Sequence, residues 1–291
     1  MLNNVEEQYT ENEQGDTIRW SNARAISASN ECQSALKELK SIRHFLNDFG
    51  FLTSGRDFVR CRHYMFSPQD IFTSLELTMG SIFSCCENAC LADANSLLRK
   101  YRDDLFFYLY IIAFDANQKR DVPQKKEIAQ MENNIIKWIE NGLEKLYIVG
   151  VLKDILSSAP QLENAVNEYR LKESLKQIGG RLNNFIHANG RAYYNKSVNR
   201  YKADELYTEL KGLLDDVKYI TTAFLFLLIL CSPGHVMAND YVDFLDCNMT
   251  PRKEAQYWVA PFVGQFIKEN ITLIDESCLS YLKKNTPMQF E

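Results

Sequence analysis

Residues 199–231 read NRYKADELYTELKGLLDDVKYITTAFLFLLILC, and the fold turns on how this stretch is read. It predicts one helix that can exceed thirty residues, polar at its start and apolar at its end. That end poses a membrane question. Residues 219–238 hold no Asp, Glu, Lys or Arg over twenty positions, nominally enough to span a bilayer. The continuous apolar part, residues 223–231, is only nine long, and Pro233-Gly234-His235 breaks the pattern just beyond it. The expectation is a buried core helix with no stable membrane insertion.

The rest of the chain points to the same class. Twelve glycines and seven prolines in 291 residues are few turn formers, while a 46% apolar and 12% aromatic composition supplies a core. Ala35, Leu36, Leu39, Ile42, Phe45 and Leu46 recur at helical spacing behind Ser27 or Ser29 as caps. Ser67, Pro68 and Asp70 form a second helix start. Residues 93–114 form a further helix, apolar nearly all round in its second half and so expected to be buried. The fold class is all-α, a multi-helix bundle with two helical subdomains. Residues 115–126, polar and containing Pro123, read as the linker between a subdomain at 25–114 and another at 127–291. Gly179 and Gly180 are expected to end an amphipathic helix.

The net charge of −5 is concentrated in residues 1–20, where Glu6, Glu7, Glu11, Glu13 and Asp16 face only Arg19. Residues 1–24 therefore read as a mobile acidic tail, without the basic-then-apolar pattern of an export signal. Eight scattered cysteines then fit reduced thiols in a cytoplasmic protein.

Residues 174–203, SLKQIGGRLNNFIHANGRAYYNKSVNRYKA, carry Lys176, Arg181, Arg191, Lys196, Arg200 and Lys202 and no acid, although Asp and Glu make up 38 of the 291 residues. Tyr193, Tyr194 and Tyr201 lie among them, with Asn183, Asn184, Asn189, Asn195 and Asn199. Cations neutralise phosphates, aromatic rings stack on unpaired bases and amides read base edges, so the window fits RNA. The alternative is a polar surface connector, since loops attract the same residues.

Within the window, Arg181 is followed six residues on by His187. Directly after two glycines, Arg181 is expected in the first turn of a helix, near free backbone N–H groups. His187 then lies about 240° around the axis and about 9 Å along it, so the two share no face. They converge if the Arg side chain folds back, or if a second copy meets the first across a dimer. Such a pair suits metal-free RNA cleavage: His moves a proton near neutral pH and Arg holds the scissile phosphate. The alternative for His187 is a helix-end residue before the stop at Ala188-Asn189-Gly190.

An Arg, four to six residues, then a His, in an all-helical chain, resembles the HEPN superfamily over about residues 128–232. The resemblance implies a dimeric, metal-independent endoribonuclease of toxin–antitoxin or phage-defence type, with Arg181 and His187 catalytic. It equally admits an inactive relative that keeps the fold for binding. In that motif a polar residue often follows the Arg; here it is Leu182, and Asn183 and Asn184 are the neighbours that can take its role. Arg191, Tyr193, Tyr194, Lys196 and Arg200 would hold the flanking strand.

Other clusters carry simpler readings. Cys61, His63, Cys85, Cys86 and Cys90 offer zinc ligands, yet no CxxC pair is present and buried thiols are expected. Asp240, Asp243 and Asp246 suit a helix start capped by Asn239 better than Mg²⁺. Tyr257, Trp258, Phe262 and Phe266 read as core. No GxxxxGK[ST], GxGxxG, HExxH or GxSxG occurs, so no cofactor or metal is expected. A non-enzymatic helical protein docking a protein partner is the alternative function. A growth-arresting effector that inserts residues 219–238 into a membrane is a third.

Overall fold

The computed structural model describes residues 13–53, 58–118, 126–142, 148–186, 191–250 and 259–290. The described chain is mostly helical, with one small hairpin and two isolated bridges, Thr53–Ala238 and Met237–Val259. Its helices are α1 (Glu13–Ala28), α2 (Asn30–Leu52), α3 (Gln69–Glu87), α4 (Leu91–Gln118), α5 (Lys126–Ile139), α6 (Ile148–Ser158), α7 (Glu163–Glu168), α8 (Leu171–Ile186), α9 (Arg191–Val198), α10 (Ala203–Cys231), α11 (Asn239–Asp246), α12 (Pro261–Asn270) and α13 (Cys278–Asn285). The all-α class is thus what the chain adopts. No helix among the described residues is long and apolar enough to cross a membrane.

Local chemistry explains the boundaries. Ser29 caps α2, its Oγ accepting from the Cys32 amide at 3.2 Å. Ser67 does the same ahead of α3, accepting from the Gln69 amide at 3.3 Å. The helix α3 ends with Ala89 at φ 58° and the Cys90 amide donating to the Cys85 carbonyl at 2.7 Å, a closure of the Schellman kind. Cys90 therefore sits in the turn and does not share a helix with Cys86.

Two readings of the sequence change, and a small hairpin joins the helices. Residues 13–24, assigned to the acidic tail, belong to α1, which Ile26 and the Asn22 side chain tie down from their buried positions. Gly179 and Gly180 do not end a helix, because α8 runs through them. The reason is the buried series Leu171, Leu175, Ile178, Leu182 and Phe185, whose helical period continues across the pair. Each Gly costs up to about 1 kcal/mol against Ala, and burying several large side chains outweighs that. Finally, Val59–Cys61 (β1) and Tyr64–Phe66 (β2) form an antiparallel hairpin. Its turn holds Arg62 at φ 51°, and the Arg62 side chain donates to Glu132 at 3.2 Å and to Asn133 at 2.8 Å.

A Cβ added to exposed Gly180 meets nothing within 4 Å. Gly180→Ala should therefore raise the unfolding free energy by about 0.5–1 kcal/mol in urea denaturation, and a loss would mean the backbone there is not a regular helix.

The chain divides into two compact units, each drawing on three separate stretches. The first takes the described residues of Met1–Arg43, Leu77–Lys100 and Ile178–Val217; the second takes those of His44–Glu76, Tyr101–Gln177 and Lys218–Glu291. The division does not follow residues 115–126, whose first four belong to α4 and of which 119–125 lie outside the described residues.

The core of the second unit is aromatic. Phe72 meets Phe49 at 4.9 Å and Tyr108 edge-on at 4.5 Å, and Phe45 stacks on Phe266 at 4.4 Å. Residues 223–229 of α10 are fully buried here, as expected of a core helix. Buried Tyr101 hydrogen-bonds Thr221 at 2.8 Å, which satisfies both hydroxyls. Of the expected aromatic cluster, Phe262 and Phe266 pack on Phe45, while Tyr257 and Trp258 lie outside the described residues. The first unit is aliphatic, with Leu36, Leu39, Met79, Leu98, Leu182 and Leu210 all buried. In the second unit α11 starts at Asn239, so Ala238 and not Asn239 holds the cap position, and Leu245 is exposed.

Candidate functional site

The end of α8, the short helix α9 and the first half of α10 lie in the first unit. Buried Leu182 and Phe185 anchor one side of α8, which turns Arg181 and Asn184 outward. Asn22 fixes the approach to α10: its Nδ2 donates to the Asn199 carbonyl at 3.0 Å and its Oδ1 accepts from the Tyr201 amide at 3.1 Å. A buried amide bonded through both ends holds that connection in one place.

These elements enclose a cleft of about 590 Å³, lined by Asn95 of α4, by Arg181, Asn184 and Phe185 of α8, by Lys196 of α9, and by Glu209, Gly212, Leu213, Asp215 and Asp216 of α10. Arg181 donates from Nη2 to Asp216 Oδ1. The Arg181 side chain is 52% exposed and the Asp216 side chain only 16%. Lys196 donates to Glu209 and lies over the Phe185 ring, its Nζ 5.2 Å from the centroid. Lys211 pairs with Asp215, both partly exposed. Burial pushes the Asp216 carboxyl above its ordinary range, and neighbouring Asp215 adds to this; Arg181 and Lys196 pull it back. Burial prevails, so the cleft contains a carboxyl that takes up a proton more readily than an exposed one.

Arg181 is therefore not in a first helical turn. It is the eleventh residue of α8, and its partner is a carboxylate on α10 instead of free backbone N–H groups. His187 lies outside the described residues, as do Ala188, Asn189 and Gly190. Arg181, Asn184 and Lys196 share the cleft; Asn183 instead accepts a hydrogen bond from Arg99. Arg191 and Arg200 are exposed outside it. Tyr193 donates to Asp93 at 3.0 Å, which pushes its own hydroxyl pKa up, and its ring meets exposed Tyr194 edge-on at 5.8 Å.

The acids Glu209, Asp215 and Asp216 were not singled out from the sequence. For Glu209 and Asp216 a signal is present in the spacing: positions 205, 209, 212 and 216 fall on one face of α10, where Glu, Glu, Gly and Asp stand. The acid-free window at 174–203 is thus answered across space by an acidic helix face. Among the described residues no group of three or more His, Cys, Asp or Glu side chains is arranged to hold a metal ion. Cys61 belongs to the second unit and Cys85, Cys86 and Cys90 to the first. In the second unit Ser232 Oγ lies 2.8 Å from His235 Nδ1, a bond across one turn that closes the end of α10.

No protein-family model matches this chain, and no curated protein and no solved structure matches it significantly.

Proposed function

We propose that this chain is a cytoplasmic RNA-directed protein of HEPN-like character, in a toxin or phage-defence role, which cleaves RNA without a metal ion. Arg181 holds the scissile phosphate, His187 takes the proton of the attacking 2′-hydroxyl, and the ring and cation set of Tyr193, Tyr194, Arg191, Lys196 and Arg200 carries the flanking strand. One observation supports this reading above the others: Arg181, Asn184 and Lys196, drawn from the motif and the basic window, line a single cleft with the half-buried carboxyl of Asp216. The cleft has the size of a ligand site, and the half-exposed Arg181 can exchange its carboxylate for a phosphate.

A second reading, a non-enzymatic module that docks a protein, draws on a different observation. Arg181 and Lys196 already have carboxylate partners, which leaves less free positive charge for a polyanion than the sequence window suggests. RNA cleavage by purified protein in excess EDTA separates the two. On the first reading wild type cleaves and His187→Ala loses about a hundredfold or more of the rate, as expected for removing an acid–base group. Absence of cleavage by both folded proteins selects the docking module.

A further inference from the structure

The turn between α3 and α4 places two thiols side by side. The Cys90 amide donates to the Cys85 carbonyl at 2.7 Å and the Ala89 amide to the Cys86 carbonyl at 3.1 Å, with Ala89 at φ 58°. These are both bonds of a Schellman closure, in which the side chains of the two residues joined by the longer bond commonly meet. Here those residues are Cys85 and Cys90. Bond lengths and the 2.7 Å contact hold their Cα atoms within about 6.6 Å, inside the span a disulfide bridges. Both thiols are half-buried, so a small reagent reaches them, whereas Cys32, Cys61, Cys86, Cys231 and Cys278 are buried and exposed Cys247 stands in the second unit. Arg19 of α1 donates to the Asn88 carbonyl at 3.4 Å, and the same oxygen accepts from the Cys90 thiol at 3.7 Å, which brings a guanidinium close to that sulfur. Burial pushes both thiols above their ordinary range, and Arg19 pulls each back; for Cys90 it outweighs Asp93, and for Cys85 it does not.

We propose that Cys85 and Cys90 form a redox site, a dithiol that a low-molecular-weight disulfide of the glutathione kind converts to an intrachain disulfide. Neither the cleft nor the ribonuclease reading enters into it. Cys90, the thiol beside Arg19, attacks first as the thiolate. Its sulfur bonds to one sulfur of the reagent, the reagent's own S–S bond breaks, and one reagent thiolate leaves with the electron pair. Cys85 then attacks the Cys90 sulfur and expels the second reagent thiolate. The chain gives up two protons and two electrons, and the reagent takes them up as two thiols. The bond closes where two other helices rest on the turn: Arg19 of α1 on Asn88, and Tyr193 of α9 on Asp93, three residues beyond Cys90. The groups facing the two thiols are Arg19 from α1, Asp93 from α4, Tyr193 from α9 and the Cys86 thiol. Because both thiols ionise above neutrality, the thiolate share and the closure rate rise about tenfold per pH unit there.

The test treats the full, reduced chain with excess glutathione disulfide, blocks the remaining thiols by alkylation and reads the peptides by mass spectrometry. In folded wild type the peptide holding residues 85–90 should lose two hydrogens, retain no glutathione and regain both thiols in dithiothreitol. Cys85→Ala removes the resolving thiol and should leave glutathione bound to Cys90. Cys86→Ala should close within about threefold of the wild-type rate, since its enclosed thiol takes no part. Closure in Cys85→Ala, which would have to use Cys86, overturns the assignment. So does glutathione retained on both Cys85 and Cys90 of wild type. Chain unfolded in urea, with all eight thiols open, shows that the reagent is active; reaction confined to that unfolded chain overturns the assignment as well.

Discussion

Phe224→Ala should lower the unfolding free energy by about 3–5 kcal/mol, the largest stability loss expected of a single substitution here. Phe224 is fully buried in the second unit, its ring 6.0 Å from Tyr108 at 68° and 6.1 Å from Phe72. Phe72 and Tyr108 also meet each other edge-on, so the three rings form one cluster. Truncation removes the transfer energy of a ring and leaves a cavity whose walls cannot collapse, because each wall is braced by the other. Edge-to-face geometry adds about 0.5–1.5 kcal/mol per pair beyond the area buried. Phe224→Leu should cost clearly less, since most of the volume remains. Urea denaturation followed by helical circular dichroism checks both. A loss below about 1 kcal/mol for Phe224→Ala would mean that residues 223–229 are not a packed core.

That cluster also shows which part of the fold the sequence discloses. The apolar run at 223–231 admits a membrane span or a core helix, and its nine-residue length with Pro233 beyond favours the core. Helix starts at Ser29 and Ser67 were legible because a capping hydroxyl acts on its own next few residues. Features that depend on distant partners were not legible. Gly179-Gly180 has the local signature of a helix stop, and the buried series from Leu171 to Phe185 overrides it. Residues 13–24 are largely polar, yet α1 forms there, where Asn22 engages the connection at Asn199–Tyr201, far along the chain. The hairpin at β1 and β2 has strands of three residues each, too short for an alternating pattern to stand out.

The same limit applies to the site. A window without acids suggests an unneutralised basic surface, but charge is balanced in space and not along the chain. Lys196 meets Glu209 thirteen residues on, and Arg181 meets Asp216 thirty-five residues on. Arg181 itself was legible from the motif. The carboxyl that shares its cleft is marked in the sequence only by its spacing from Glu205 and Glu209, which does not tell how enclosed it is or which cation it meets.

Arg181→Ala tests that pairing through both activity and the pH dependence of stability. On the ribonuclease reading, loss of the guanidinium removes the group that holds the phosphate, and RNA cleavage should fall by about a hundred- to a thousandfold. Arg181→Lys keeps the charge without the planar fork and should recover part of it. The stability effect comes from Asp216. Its folded-state pKa lies above the ordinary carboxylate value because burial outweighs the help of Arg181 and Lys196. A carboxyl raised on folding binds its proton more tightly in the native state, so native stability declines as pH rises from the unfolded to the folded pKa. Removing Arg181 takes away an interaction that lowers this pKa, so it rises further and the decline lengthens. The stability deficit of Arg181→Ala against wild type should therefore be smallest in acid, where the carboxyl is protonated in both, and grow as pH rises through the range in which Asp216 ionises. Thermal melts of the two proteins across that range read it directly. A deficit that does not change with pH would mean that Arg181 contributes packing of its methylenes and not neutralisation of Asp216. In Asp216→Asn the pH-dependent part of the Arg181→Ala deficit should vanish, since no ionisable group remains for Arg181 to offset. That double-variant comparison ties the half-buried carboxyl and the more exposed guanidinium to one another independently of whether any RNA is cut.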